Sequence, residues 1–115
     1  MLDPDVVGQL RALAQAGNPG LLSKLQASFA RDTPQRLADL RSAVAAGDGD
    51  AVAFNVHTLK GSAANLGARG IVESCDAIET ACAAVEPGAL EPLLLELERS
   101  AALAHAELLR LAETG

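Results

Sequence analysis

The sequence predicts an all-α protein: an up-and-down antiparallel four-helix bundle with an additional short N-terminal helix. Three observations lead there. Half of the 115 residues are hydrophobic but only two are aromatic, both Phe. The core must therefore be built from Leu, Ala, Val and Ile, with few β-branched runs, which favours helices. Apolar residues also recur at helical spacing through four long segments, and the Gly- and Pro-containing breaks between them are short. Amphipathic helices joined by short turns bury their stripes best as antiparallel neighbours. The length suits a single domain, 1–115, with one modest core.

The first element spans Leu2 to Gln15, with Val6, Leu10 and Leu13 at helical spacing. Asp3 is placed to cap its start, with Pro4 at the first helical position. Gly17-Asn18-Pro19-Gly20 breaks the chain, so this helix is expected to lie across one end of the bundle. Leu21 to Ala46 carries a stripe of Leu22, Leu25, Phe29, Leu37, Leu40 and Val44. Pro34 interrupts it, and Asp32-Thr33-Pro34 is equally a possible start for a new helix. Gly47-Asp48-Gly49-Asp50 forms a turn in which Asp48 or Asp50 caps the next helix, expected from about Asp50 to Leu66. Gly67 stands where a left-handed C-terminal cap is expected.

A third long helix is expected from near Gly70, with Ile71, Cys75, Ile78 and Cys82 as core positions and Glu86-Pro87-Gly88 as its end. The last helix, Leu90 to Leu111, shows a near-heptad seam of Leu90, Leu94, Leu97, Ala101, Ala104, Leu108 and Leu111. In a chain with three other amphipathic helices such a seam packs internally more often than it dimerises. His105 lies beside the seam, with no role assigned.

The chemistry concentrates in Asp50 to Gly67, DAVAFNVHTLKGSAANLG. On a helix, Val52, Val56, Leu59 and Leu66 gather on one arc around Ala63. The centre of that arc lies about 140° from His57 at about 100° per residue. The imidazole thus points toward water, among Ala53, Phe54, Lys60, Gly61 and Ala64. A neutral imidazole is a good nucleophile at cellular pH. A phosphoryl group on it would bring roughly two negative charges, and Lys60, three residues on, can offer a mobile cation. Gly61 costs a helix up to about 1 kcal/mol relative to Ala, and open access to the ring is a reason to tolerate it.

The run His57-Thr58-Leu59-Lys60-Gly61-Ser62, continued by Ala63-Ala64-Asn65-Leu66-Gly67-Ala68, resembles the phosphoacceptor motif of histidine-containing phosphotransfer domains, H-x-L-K-G-[SA] with a small-residue run and G-A. The resemblance implies that His57 carries a phosphoryl group between receiver domains, that Lys60 supports it and that Gly61 leaves room. It also implies one kinked helix through Pro34, and at Glu79 either a hydrogen bond to the acceptor ring from the adjacent helix or simply a surface carboxylate. Phe54 is expected either to pack against the N-terminal helix at Val6, Val7 or Leu10, or to meet a receiver's hydrophobic patch. Arg69, past the helix end, would meet a receiver's acidic pocket or complement the helix dipole. Ala64, a small neighbour of His57 on the outer face, is a secondary candidate with Phe54, Glu79 and Arg69.

On this reading the chain is a phosphocarrier without autonomous kinase activity, since it has neither G-x-G-x-x-G nor a P-loop. It binds no cofactor itself, and Mg²⁺ is expected in the partner receiver domain. Partners are receiver domains of response regulators or hybrid sensor kinases, and the chain is expected to be monomeric. A net charge of −6 argues against nucleic acid. A metal site is not expected, because neither His nor Cys lies one turn from His57. No apolar run approaches the roughly 20 residues of a membrane span, and Met1 to Gly8 does not read as a signal peptide. Cys75 and Cys82 would sit roughly 10 Å apart along one helix face, too far to pair. They read as small buried hydrophobes in a reducing compartment, with the cytoplasm as the default. The alternatives are the dimerising phosphoacceptor fragment of a sensor histidine kinase, whose motif Thr58-Leu59-Lys60-Gly61 does not fit, and a non-phosphorylated helical adaptor that binds receivers.

Overall fold

The structure, a computed structural model, describes residues 2–83 and 90–114. Among the described residues five helices form: α1 (Pro4–Gln15), α2 (Leu21–Ala46), α3 (Gly49–Leu66), α4 (Arg69–Ala83) and α5 (Leu90–Thr114). Among the described residues no strand forms, apart from one isolated antiparallel bridge between Leu2 and Ala68.

The helix ends follow from local chemistry. The Asp3 carboxylate accepts the Asp5 amide at 2.9 Å, with Pro4 in the first turn. At α3 the open choice of cap resolves to Asp48, whose side chain accepts from the Ala51 N–H at 3.1 Å. Helices α2 and α3 both end on a glycine in the left-handed region, Gly47 at φ 69° and Gly67 at φ 70°. Gly67 is demanded twice over. A Cβ there would also lie 2.9 Å from the Cβ atoms of Asp3 and Val6, a distance no side chain tolerates. Pro34 lies inside α2, which runs unbroken through it. Helix α5 continues past the expected Leu111 to Thr114, because Ala112-Glu113-Thr114 contains nothing to stop it. The expected stop at Glu86-Pro87-Gly88 lies outside the described residues.

Helix α2 packs on α3 and α5, and α4 packs on the same two. The shared core includes Leu40, Val56, Leu59, Ile78, Leu97 and Leu108, each at most 3% exposed. Fully burying a Leu or Ile side chain is worth about 1.5–3 kcal/mol, so this interior carries the fold. Arg41 of α2 clasps Glu98 of α5 through two bonds of 2.7 and 2.8 Å and reaches Glu91 at 3.1 Å.

Two core expectations need correction. Cys82 is only half-buried, whereas Cys75 is fully buried. Leu13 is 57% exposed, because α1 is anchored at its beginning and buries none of its residues. The anchor is dense. The Asp3 amide donates to the Gly67 carbonyl at 2.7 Å, Arg69 Nη2 meets Asp3 Oδ2 at 2.8 Å, and the Leu2 amide donates to Glu107 at 2.8 Å.

Candidate functional site

Because Val52, Val56, Leu59, Ala63 and Leu66 are all buried, rotation along the helix leaves the opposite face of α3 outward. His57 is exposed there. Among the described residues its ring makes no hydrogen bond, ion pair or ring contact. Ala53, Phe54, Gly61 and Ala64 are exposed on the same face, and all fall within about 60° of His57 around the helix axis. Nothing lies within 4 Å of the position that a Gly61 Cβ would take. The ring therefore stands on a low surface where three of the nearest outward positions are Ala or Gly.

Lys60 sits on the side of that stripe nearer α4. Its ammonium pairs with Asp76 Oδ1 of α4. That bond, with a further contribution from Glu79, raises the lysine pKa above its ordinary value. Lys60 is thus a held cation at rest, where the sequence suggested a free one. Asp76 is the residue that sequence reasoning missed. It lies one position after the buried Cys75 and one turn before Glu79, and no pattern within α4 marks it as facing Lys60. Cys75 is fully buried. Burial, then the carboxylates of Glu79 and Asp76, push its thiol up to about 11, so it is not a reactive nucleophile.

At Glu79 and Phe54 the structure leaves one of the two alternatives that the sequence offered, and at Arg69 it adds a contact. Glu79 makes no hydrogen bond to the His57 ring; it is exposed, and its charge acts on Lys60. Phe54 is not covered by α1, for its ring is 69% exposed. Helix α1 meets the Gly67 end of α3, roughly 20 Å along the axis from Phe54 at 1.5 Å per residue. Arg69 is the first residue of α4, two positions past the Gly67 cap of α3, and its bond to Asp3 ties α1 to the α3–α4 turn.

A cavity of about 430 Å³ lies away from this face, among Leu10, Leu25, Phe29, Leu37, Leu59 and Leu66. No histidine lines it, and the charged groups on its lining are Asp32 and Arg36. Among the described residues no group of three or more metal-ligating side chains forms, and no helix is long and apolar enough to cross a membrane.

The family described as Hpt domain matches residues 24–113, from the first turn of α2 to near the end of α5. Among solved structures, the chain is similar to histidine-containing phosphotransfer protein B from Pseudomonas aeruginosa PAO1. The two share 24% identity over 99% of this chain and 96% of that one, with a TM-score of 0.84. At that identity the likeness speaks for the helical fold. No curated protein matches the chain.

Proposed function

The chain belongs to the Hpt domain family, whose members are phosphocarrier modules of two-component systems, and on that premise we propose that it is a phosphorelay intermediate phosphorylated on His57. A ring nitrogen of His57 attacks the phosphorus of a receiver domain's aspartyl phosphate. The N–P bond forms as the bond from phosphorus to the aspartate oxygen breaks, the carboxylate leaves, and the ring's other nitrogen releases its proton to water. A second receiver's aspartate takes the group by the reverse steps. Mg²⁺ bound in the receiver supplies most of the charge neutralisation during transfer. This chain contributes position, access and one cation, and has no kinase activity of its own.

The observation that carries the reading is the exposed ring of His57, without a partner among the described residues, above a surface of Ala and Gly, with Lys60 one turn away. A receiver's active site can close over such a face, Gly61 giving it room and Ala64 flattening the approach. The exposed Phe54 ring, next to His57, is apolar area of the sort that marks a contact with a partner. Arg69 lies beyond the Gly67 end of α3, itself roughly 15 Å along the axis from His57, so its reach to a receiver's acidic rim is a peripheral contact. We read the scaffold as an up-and-down antiparallel bundle of α2 to α5 with α1 added. The ring of contacts α2–α3–α4–α5 and the two-residue turns around α3 support that arrangement. The working form is a monomeric single domain in the cytoplasm, meeting receivers of response regulators or hybrid kinases, and neither nucleic acid nor membrane.

The test is chemical. Incubation with a panel of phosphorylated receiver domains should place acid-labile, base-stable label on this chain, and His57→Gln should abolish it. Label that survives the substitution rejects His57 as the acceptor.

A further inference from the structure

The cation offered to a phosphoryl group on His57 is already engaged. Lys60 bonds Asp76 across the α3–α4 groove, and the charge of Glu79, one turn further along α4, also acts on the ammonium. Packing does not need this arrangement. The Asp76 side chain is 53% exposed, while Val56, Leu59, Cys75 and Ile78 bury the core between α3 and α4.

We propose that Asp76 is a positioning residue that competes with a phosphoryl group on His57 for the Lys60 ammonium, and so keeps the phosphorylated ring disposed to pass its group onward. The proposal rests on His57 being the acceptor. A phosphoryl group carries up to two negative charges and three acceptor oxygens. To serve it, Lys60 must leave Asp76 or divide its three N–H donors between them. If it leaves, Asp76 loses its partner; if it divides them, two carboxylates stay near a dianion. Either outcome raises the free energy of the phosphorylated state alone, because the unphosphorylated state keeps its pair intact. The transfer equilibrium between His57 and a receiver's aspartate then lies further toward the receiver. The competing pair is exposed, and pairs of that kind are weak, so the equilibrium constant should change by about two- to fivefold. That suffices to tune a reversible relay without blocking it.

The experiment uses the full chain as wild type, Asp76→Asn, Asp76→Glu, Lys60→Ala and the Lys60→Ala/Asp76→Asn double variant. Each is equilibrated with one phosphorylated receiver at a dilution where the two do not remain in complex. The readout is the ratio of phosphorylated chain to phosphorylated receiver. Asp76→Asn should raise that ratio about two- to fivefold, Asp76→Glu should return it toward the wild-type value, and the Asp76→Asn effect should shrink in the Lys60→Ala background. An unchanged ratio for Asp76→Asn, no recovery with Asp76→Glu, or an undiminished effect without Lys60 overturns the proposal. A wild-type chain that takes no label from any receiver overturns the acceptor reading instead, and the two failures are thereby told apart.

Discussion

The chain has two histidines, and the structure treats them in opposite ways. His105 on α5 is half-buried and stacks on Phe29 of α2, with ring centroids 6.1 Å apart and planes 11° from parallel. Its Nε2 lies 3.3 Å from the side-chain amide nitrogen of Gln26. The contact and the stacking together give this ring partners on a second helix. His57 has neither a stacking partner nor a hydrogen bond among the described residues. The same side chain is thus a joint between helices in one place and an unclaimed nucleophile in the other. The contrast lies in the neighbours. Around His105 they are large and reach across from α2; around His57 most are too small to reach it.

The strongest way to break that comparison is to give His57 a large neighbour. Gly61→Gln places a long side chain one turn from the ring, in space that is open now. Phosphotransfer from a receiver should fall to background. The folded state should gain up to about 1 kcal/mol, because a mid-helix glycine is removed. Chemical denaturation alongside the labelling assay checks both, and normal transfer in this variant would remove the steric role of Gly61. The reverse experiment is His105→Ala. Labelling of the chain should be unaffected, while unfolding free energy should drop by about 0.5–1.5 kcal/mol, the usual worth of an aromatic pair. Loss of label from His105→Ala, with the protein still folded, would make the second histidine part of the chemistry and dissolve the distinction.

Much of this was legible in the order of residues, because each helix carries its own period. The buried face of α3, the exposure of His57 and the left-handed Gly67 follow from spacing and from one glycine at a helix end. What was not legible depends on how two helices register against each other. Lys60 meeting Asp76 requires α3 and α4 to be set at one particular height, and neither helix's sequence fixes it. The Arg69–Asp3 bond likewise depends on where α1 docks. Phe54 shows the same limit from the other side. Its cost in water suggested a cover, but α1 was committed to the far end of α3 by Leu2, Asp3 and Val6.

The ion pairs extend the comparison to acid stability, with the smallest expected effect. On the α2–α5 side, Arg41 holds Glu98 in a two-bonded clasp, and this lowers the glutamate's pKa below its ordinary 4.5 despite an opposing push from burial. A carboxyl group lowered on folding binds fewer protons in the native state than in the unfolded chain near pH 4. Its contribution is therefore complete above 4.5, the unfolded value, and is lost as pH falls through the lower folded value. Asp3 beside Arg69 and Asp32 beside Arg31 are lowered in the same sense, so they add to the acid slope. Glu98→Gln should depress Tm by a few degrees at neutral pH and less at strongly acid pH, flattening that part of the profile. Its phosphotransfer equilibrium should match that of wild type. Asp76→Asn should show the opposite combination, a shifted transfer ratio with little change in Tm, since its pair is exposed and stands apart from the core. If Glu98→Gln moves the transfer ratio as far as Asp76→Asn does, the charges of the two sides are not separable, and the division between a clasp that holds helices and a pair that yields to phosphate is lost.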